Sequence, residues 1–151
     1  MPAALVVGVG AVAALALSAC GESPVQVAVP EPDGAGPAAC RSLVAALPDV
    51  LDGAQQRAVE PVSDLTAAWG DPPIVLRCGV AGPEAYEPTS LVGTYDGVDW
   101  LAVEQDDGYL FYAPGRVTWI EVAVPSAYSP EPNPLIDLAP AVSASVPLLE
   151  R

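Results

Sequence analysis

The chain has 151 residues and carries 19 Asp and Glu against five Arg, with no Lys and no His, for a formal net charge of -14. The length fits one domain of ordinary size, and the charge excludes nucleic acid and anionic surfaces as electrostatic partners. Without His or Lys, the usual general base, the commonest metal ligand and Schiff-base chemistry are missing, so any catalysis falls to carboxylates, hydroxyls and Arg; no cofactor and no metal is expected.

Residues 3–19 read AALVVGVGAVAALALSA and contain no charge. The run is near the lower limit for spanning a bilayer and is rich in Ala and Gly, so it reads as the core of a signal peptide over residues 1–19. Leu17-Ser18-Ala19-Cys20 resembles the lipobox of bacterial lipoproteins. In such signals small residues let the extended chain enter the peptidase, and the cysteine thiol takes a diacylglyceryl group. Met1-Pro2 adds no positive side chain to the start, where a signal peptide ordinarily has one. Lipidated Cys20 would hold the chain at the extracytoplasmic face of the cell membrane, each buried methylene contributing about 0.8 kcal/mol.

Residues 20–39 are rich in Pro, Gly and Ala and are expected as a flexible, lipid-anchored linker. The domain is expected over residues 40–149. Its two cysteines, Cys40 and Cys78, form an even pair, which outside the cytoplasm becomes a disulfide. They are not in a C-x-x-C arrangement, as a redox pair would be, and no His stands near them to complete a metal site.

Within the domain, CRSLVAAL at 40–47 sets Leu43, Val44 and Leu47 on one helical face, and Pro48 ends it. A short extended piece is expected near Gln55 to Glu60. Gly-Asp-Pro-Pro at 70–73 is turn material, followed by the strand IVLRCGV. Asp96-Gly97 predicts a hairpin of 91–95 with 98–103. A turn at 105–108 leads to the strand YLFYA, and RVTWIEVAV at 116–124 alternates Ile120, Val122 and Val124 with Trp119, Glu121 and Ala123. A last helix begins near Asn133-Pro134, with Leu135, Leu138, Val142 and Val146 on one face and Pro140 expected to break it in two. The fold class is α+β: an antiparallel β-meander of four to five strands with an N-terminal and a C-terminal helix packed on it.

The span from Cys40 to Leu149 resembles the DUF3515 family of actinobacterial exported proteins and lipoproteins of unknown function. The resemblance rests on Cys40 before a helix, WGDPPIVLRCGV at 69–80, DGVDW at 96–100 and VTWIEVAVP at 117–125. It implies a cell-envelope setting in high-GC Gram-positive bacteria and supports the disulfide; it implies no activity.

Two constellations carry chemistry. Trp69, Asp71, Arg77, Asp99 and Trp100 would form a ligand pocket if Arg77 offered its planar fork to a carboxylate between the tryptophans. In the structural alternative Arg77 pairs with Asp71 or Asp99 and both tryptophans are core. The acids Asp96, Asp99, Glu104, Asp106 and Asp107 surround two turns without the spacing of a calcium loop, and read as a solvated surface. Ser42, Ser63 and Ser90 have no His partner and sit in no nucleophile elbow. The expected function is a lipid-anchored, non-catalytic envelope protein that binds a protein partner or a cell-wall ligand; the alternative is a small carboxylate-dependent hydrolase acting on the wall.

Overall fold

In the computed structural model, which describes residues 21–150, two helices lie on one face of an eight-stranded antiparallel sheet. In chain order the elements are β1 Val25–Gln26, α1 Gly36–Ala45, β2 Val50–Leu51, β3 Ala54–Arg57, β4 Val59–Glu60, β5 Thr66–Trp69 and β6 Ile74–Val80. They continue with β7 Gly93–Tyr95, β8 Val98–Gln105, β9 Gly108–Ala113, β10 Trp119–Val124 and α2 Asn133–Ser145. Across the sheet the order is β2-β3-β5-β6-β10-β9-β8-β7, and β1 and β4 form a separate parallel pair. The α+β architecture is as expected, with more strands than the four to five anticipated.

Period-2 alternation builds the core. Ile74, Leu76 and Cys78 of β6 face the helices, as do Ile120, Val122 and Val124 of β10. The register sets Ile120 beside Cys78, and Val122 between Leu76 and Phe111. Ala39, Cys40 and Leu43 of α1 and Leu135, Leu138, Ala139 and Val142 of α2 close over them. Each fully buried leucine contributes roughly 2 kcal/mol relative to an exposed one. Helix α2 meets β2 at one end of the strand order and β7 and β8 at the other, so the sheet curls around it. The Asp52 N–H donates to Asp137 Oδ2 at 2.9 Å and fastens one end of that curl. Cys40 and Cys78 form a disulfide between α1 and β6, with Cα atoms 5.4 Å apart.

Three local expectations are corrected. Helix α1 begins at Gly36, four residues before Cys40, because Pro37, which has no N–H, suits a first turn whose N–H groups have no intrahelical acceptor. Pro140 does not break α2. It and Ile136, whose carbonyl loses its N–H partner, both lie on the exposed side, so that carbonyl is not buried without a donor as it would be on the core face. Residues 25–39 are not a tether. Val25 and Val27 alternate with exposed neighbours and bury against Ala68 and Val75 on the sheet's other face, while β1 pairs with β4. Arg57 secures this segment, donating to Ser23 O at 2.7 Å and to Gly70 O at 2.9 Å.

Two elements had no sequence expectation. Strand β5 is TAAW, buried at all four positions and too short to show a period. The β2–β3 hairpin turns on Asp52-Gly53, whose φ values of 46° and 79° match the 46° and 81° of Asp96-Gly97. The signal peptide 1–19 and the lipidation site Cys20 lie outside the described residues. Among the described residues no helix is long and apolar enough to cross a membrane.

Candidate functional site

The five residues grouped from sequence as a pocket do not converge. Trp69 is fully buried on the helix-facing side, where its Nε1–H donates to Pro48 O at 2.9 Å. Trp100 is also core, and its Nε1–H has no partner among the described residues. Asp71 sits exposed in the turn after β5, 3.9 Å from Arg57 rather than from Arg77. Asp99 is exposed on β8 and accepts from Thr94 Oγ1 at 2.5 Å. Arg77 faces the side of the sheet away from the helices and pairs with neither aspartate.

Its partner is Glu121. The Arg77 Nε–H donates to Glu121 Oε1 at 2.8 Å, across the β6–β10 register that sets the two residues opposite each other. On the next strand Tyr112 stands opposite Glu121, close enough for its phenol to feel that carboxylate. On the other side Thr66 stands opposite Arg77, buried, with its Oγ1 unpartnered among the described residues. A polar row, Thr66–Arg77–Glu121–Tyr112, therefore runs across four strands. Burial pushes the Tyr112 phenol up to about 12, helped by the neighbouring Glu121 carboxylate, with Arg77 opposing. The Arg77 side chain is 30% exposed and that of Glu121 10%. The row is charge-compensated and presents no free nucleophile; its chemistry is that of a cross-strand clamp.

An open surface lies at one end of the sheet. After β6 the chain does not turn back but travels through residues 81–92 to the far edge, along the end where β8 and β10 begin and β9 finishes. Tyr86 in this loop meets Trp119 edge-on, centroids 5.0 Å apart. Beyond α2 the chain returns to the same end. Val117 N–H donates to Pro147 O at 3.0 Å and Leu149 N–H to Gly115 O at 2.9 Å, so 147–149 lies antiparallel to 115–117. Arg116 holds this segment from below: its guanidinium donates to Val146 O. Burial lowers the Arg116 pKa, against the pull of the Asp99 charge.

Between the loop and the terminal segment is a groove of about 370 Å³, walled by Tyr86, Pro88, Val92, Asp99, Leu148 and Leu149 among others. Leu91, Leu148 and Leu149 are 93%, 64% and 57% exposed. One exposed carboxylate, Asp99, stands in its wall. Sequence reasoning placed Asp99 in a site but missed this groove, since its walls come from residues about 60 apart in the chain. Among the described residues no group of three or more His, Cys, Asp and Glu side chains is arranged to hold a metal ion.

A family model described as "Protein of unknown function (DUF3515)" matches residues 1–150. Comparison with the curated proteins and with the solved structures found no match.

Proposed function

The chain belongs to the DUF3515 family, and from that premise we propose that it is a lipid-anchored, non-catalytic protein of the cell envelope that holds a protein partner in the groove between residues 86–92 and 147–149. The anchoring half of this reading is supported by Leu17-Ser18-Ala19-Cys20 at the end of an uncharged apolar run. The binding half is carried by one observation. Val92, Leu148 and Leu149, all large apolar side chains exposed to solvent, line one groove. Scattered single leucines on a surface mean little, but a contiguous rimmed group marks an interaction site.

The hydrolase alternative requires two carboxyl groups facing each other across a cleft. Glu121 is engaged by Arg77, and Asp99 by Thr94, so neither supports that arrangement.

The test is photo-crosslinking in native membranes. A photoreactive residue replacing Leu148 should give a discrete protein adduct, and one replacing Val62, which is 94% exposed away from the groove, should not. Equal labelling from both positions, or none from Leu148, sinks the binding reading. Intact mass tests the anchor: residues 20–151 plus lipid are expected, and an unlipidated full-length chain would overturn it.

A further inference from the structure

The backbone of the terminal segment is half used. In the antiparallel pairing of 115–117 with 147–149, hydrogen bonds run from Val117 N–H to Pro147 O and from Leu149 N–H to Gly115 O. Arg116 and Leu148 are therefore the non-hydrogen-bonded pair, and in that geometry the N–H and C=O of Leu148 point away from the sheet. Neither group has a backbone partner among the described residues. Pro147 does not blunt this edge, because its ring replaces an N–H that would point inward. An open edge beside exposed apolar side chains is a template for another strand.

We infer that the groove takes an extended segment of a partner protein, with alternating apolar and basic side chains, which adds as a strand along the outer edge of residues 147–149. The inference rests on the binding reading above and specifies its partner. Main-chain bonds to the Leu148 N–H and C=O supply register, and alternate side chains of the segment enter the groove against Val92, Leu148 and Tyr86. Charge selects the basic sequence. The protein carries -14 overall, Asp99 is the one charged side chain in the groove wall and is exposed, and Arg116 is buried beneath the segment with its guanidinium committed to Val146 O. Lys or Arg between the apolar anchors would meet Asp99 and the protein's net negative field, whereas an acidic segment would be repelled.

The experiment measures binding of three labelled peptides to the full chain by fluorescence anisotropy. One alternates Val or Leu with Lys; a second has Glu for Lys; a third is the first with alternate backbone nitrogens methylated. The first should bind, weakening about tenfold when salt rises from low to physiological strength. The second should not bind, and methylation should cost at least about tenfold. Leu148→Pro removes the outward N–H, leaves both inward bonds in place, and should weaken the first peptide similarly; far-UV circular dichroism and the intact disulfide check its fold. Binding that is indifferent to methylation and to Leu148→Pro overturns strand addition while leaving the groove as a binding site. Failure of every peptide, with the Leu148 crosslink still formed in membranes, overturns the basic-strand partner but not the binding reading. Failure of both removes both.

Discussion

Opening the Cys40–Cys78 bridge should cost the domain about a quarter to four-fifths of the stability typical of its size. The bridge closes a sequence separation of 38 residues. On the chain-entropy relation a loop of that length restricts the unfolded chain by about 13 cal/mol/K, or about 4 kcal/mol at 25 °C. Small domains are stable by only about 5–15 kcal/mol. With an unfolding entropy near 2 cal/mol/K per residue over the described chain, 4 kcal/mol lowers Tm by about 14 °C. Both cysteines are fully buried, so reductant must wait for the protein to open. The assay is therefore urea unfolding after equilibration with and without reductant, followed by near-UV circular dichroism. Cys40→Ala/Cys78→Ala is the second arm, expected to lose a further 1–2 kcal/mol or so because two sulfur atoms leave the core under α1. A loss below about 1 kcal/mol in both arms would refute the reasoning, since the loop closed by the bridge would then already be constrained in the unfolded chain. A thiol reagent that labels Cys40 and Cys78 in unreduced, denatured protein would refute the pairing itself.

Other predictions follow from the polar groups of the two sheet faces. Trp69→Phe should destabilise by about 1–2 kcal/mol more than Trp100→Phe, because only Trp69 has a hydrogen-bond partner to strand, Pro48 O; paired thermal denaturations measure the difference. Folding binds the Tyr112 proton more tightly, with a pKa of about 12 against 10.0. Its contribution is therefore complete below pH 10 and is lost as pH rises from about 10 to 12, a decline of order 2 kcal/mol that Tyr112→Phe should abolish. Tyrosinate absorbance should lose one late-titrating tyrosine in the variant, while Tyr128, also raised by burial, remains. Glu121→Ala should cost roughly 2 kcal/mol, because it leaves the half-buried Arg77 guanidinium without its acceptor. Arg77→Leu/Glu121→Leu should cost less than the sum of the two single leucine variants; a double-mutant cycle in urea reads the coupling.

Local chemistry made much of the domain legible. The hairpin at Asp96-Gly97 follows from two adjacent positions that tolerate positive φ, and the structure has both there. The inward set of β10 follows from strict alternation, because successive side chains on a strand point to opposite faces. The same Asp-Gly signal at 52–53 was passed over, since only two residues of strand precede it. Val-Gln-Val-Ala-Val at 25–29 also alternates, but five residues among prolines read as linker until β4 supplies a partner and Ala68 and Val75 a surface. Pro140 was read through propensity alone; its exposed side of α2 outweighed it.

The candidate site was the least legible part, for a reason of topology. Arg77 in the middle of one strand and Glu121 in the middle of another each announce an unsatisfied charge, and both are visible in the chain. Which partner each takes depends on β6 lying beside β10 rather than beside β7, and no local preference encodes that order. Asp71 and Asp99 were nearer in sequence to Arg77 and nonetheless go elsewhere.

What the sequence determined by itself is whatever depends on neighbours a few residues apart. That covers the uncharged run ending at Cys20, the turns at Asp-Gly and Gly-Asp-Pro-Pro, the faces of the long strands, and the chemistry excluded by the absence of His and Lys. Tertiary structure alone decided which strands are adjacent, and so the polar row on the outer face. It also brought residues 86–92 and 147–149 to one end of the sheet. The physical reason is that helix and strand periods are short-range properties of the backbone, whereas strand order is settled by closing a curled sheet around α2, where contacts distant in sequence compete through the total apolar surface they bury.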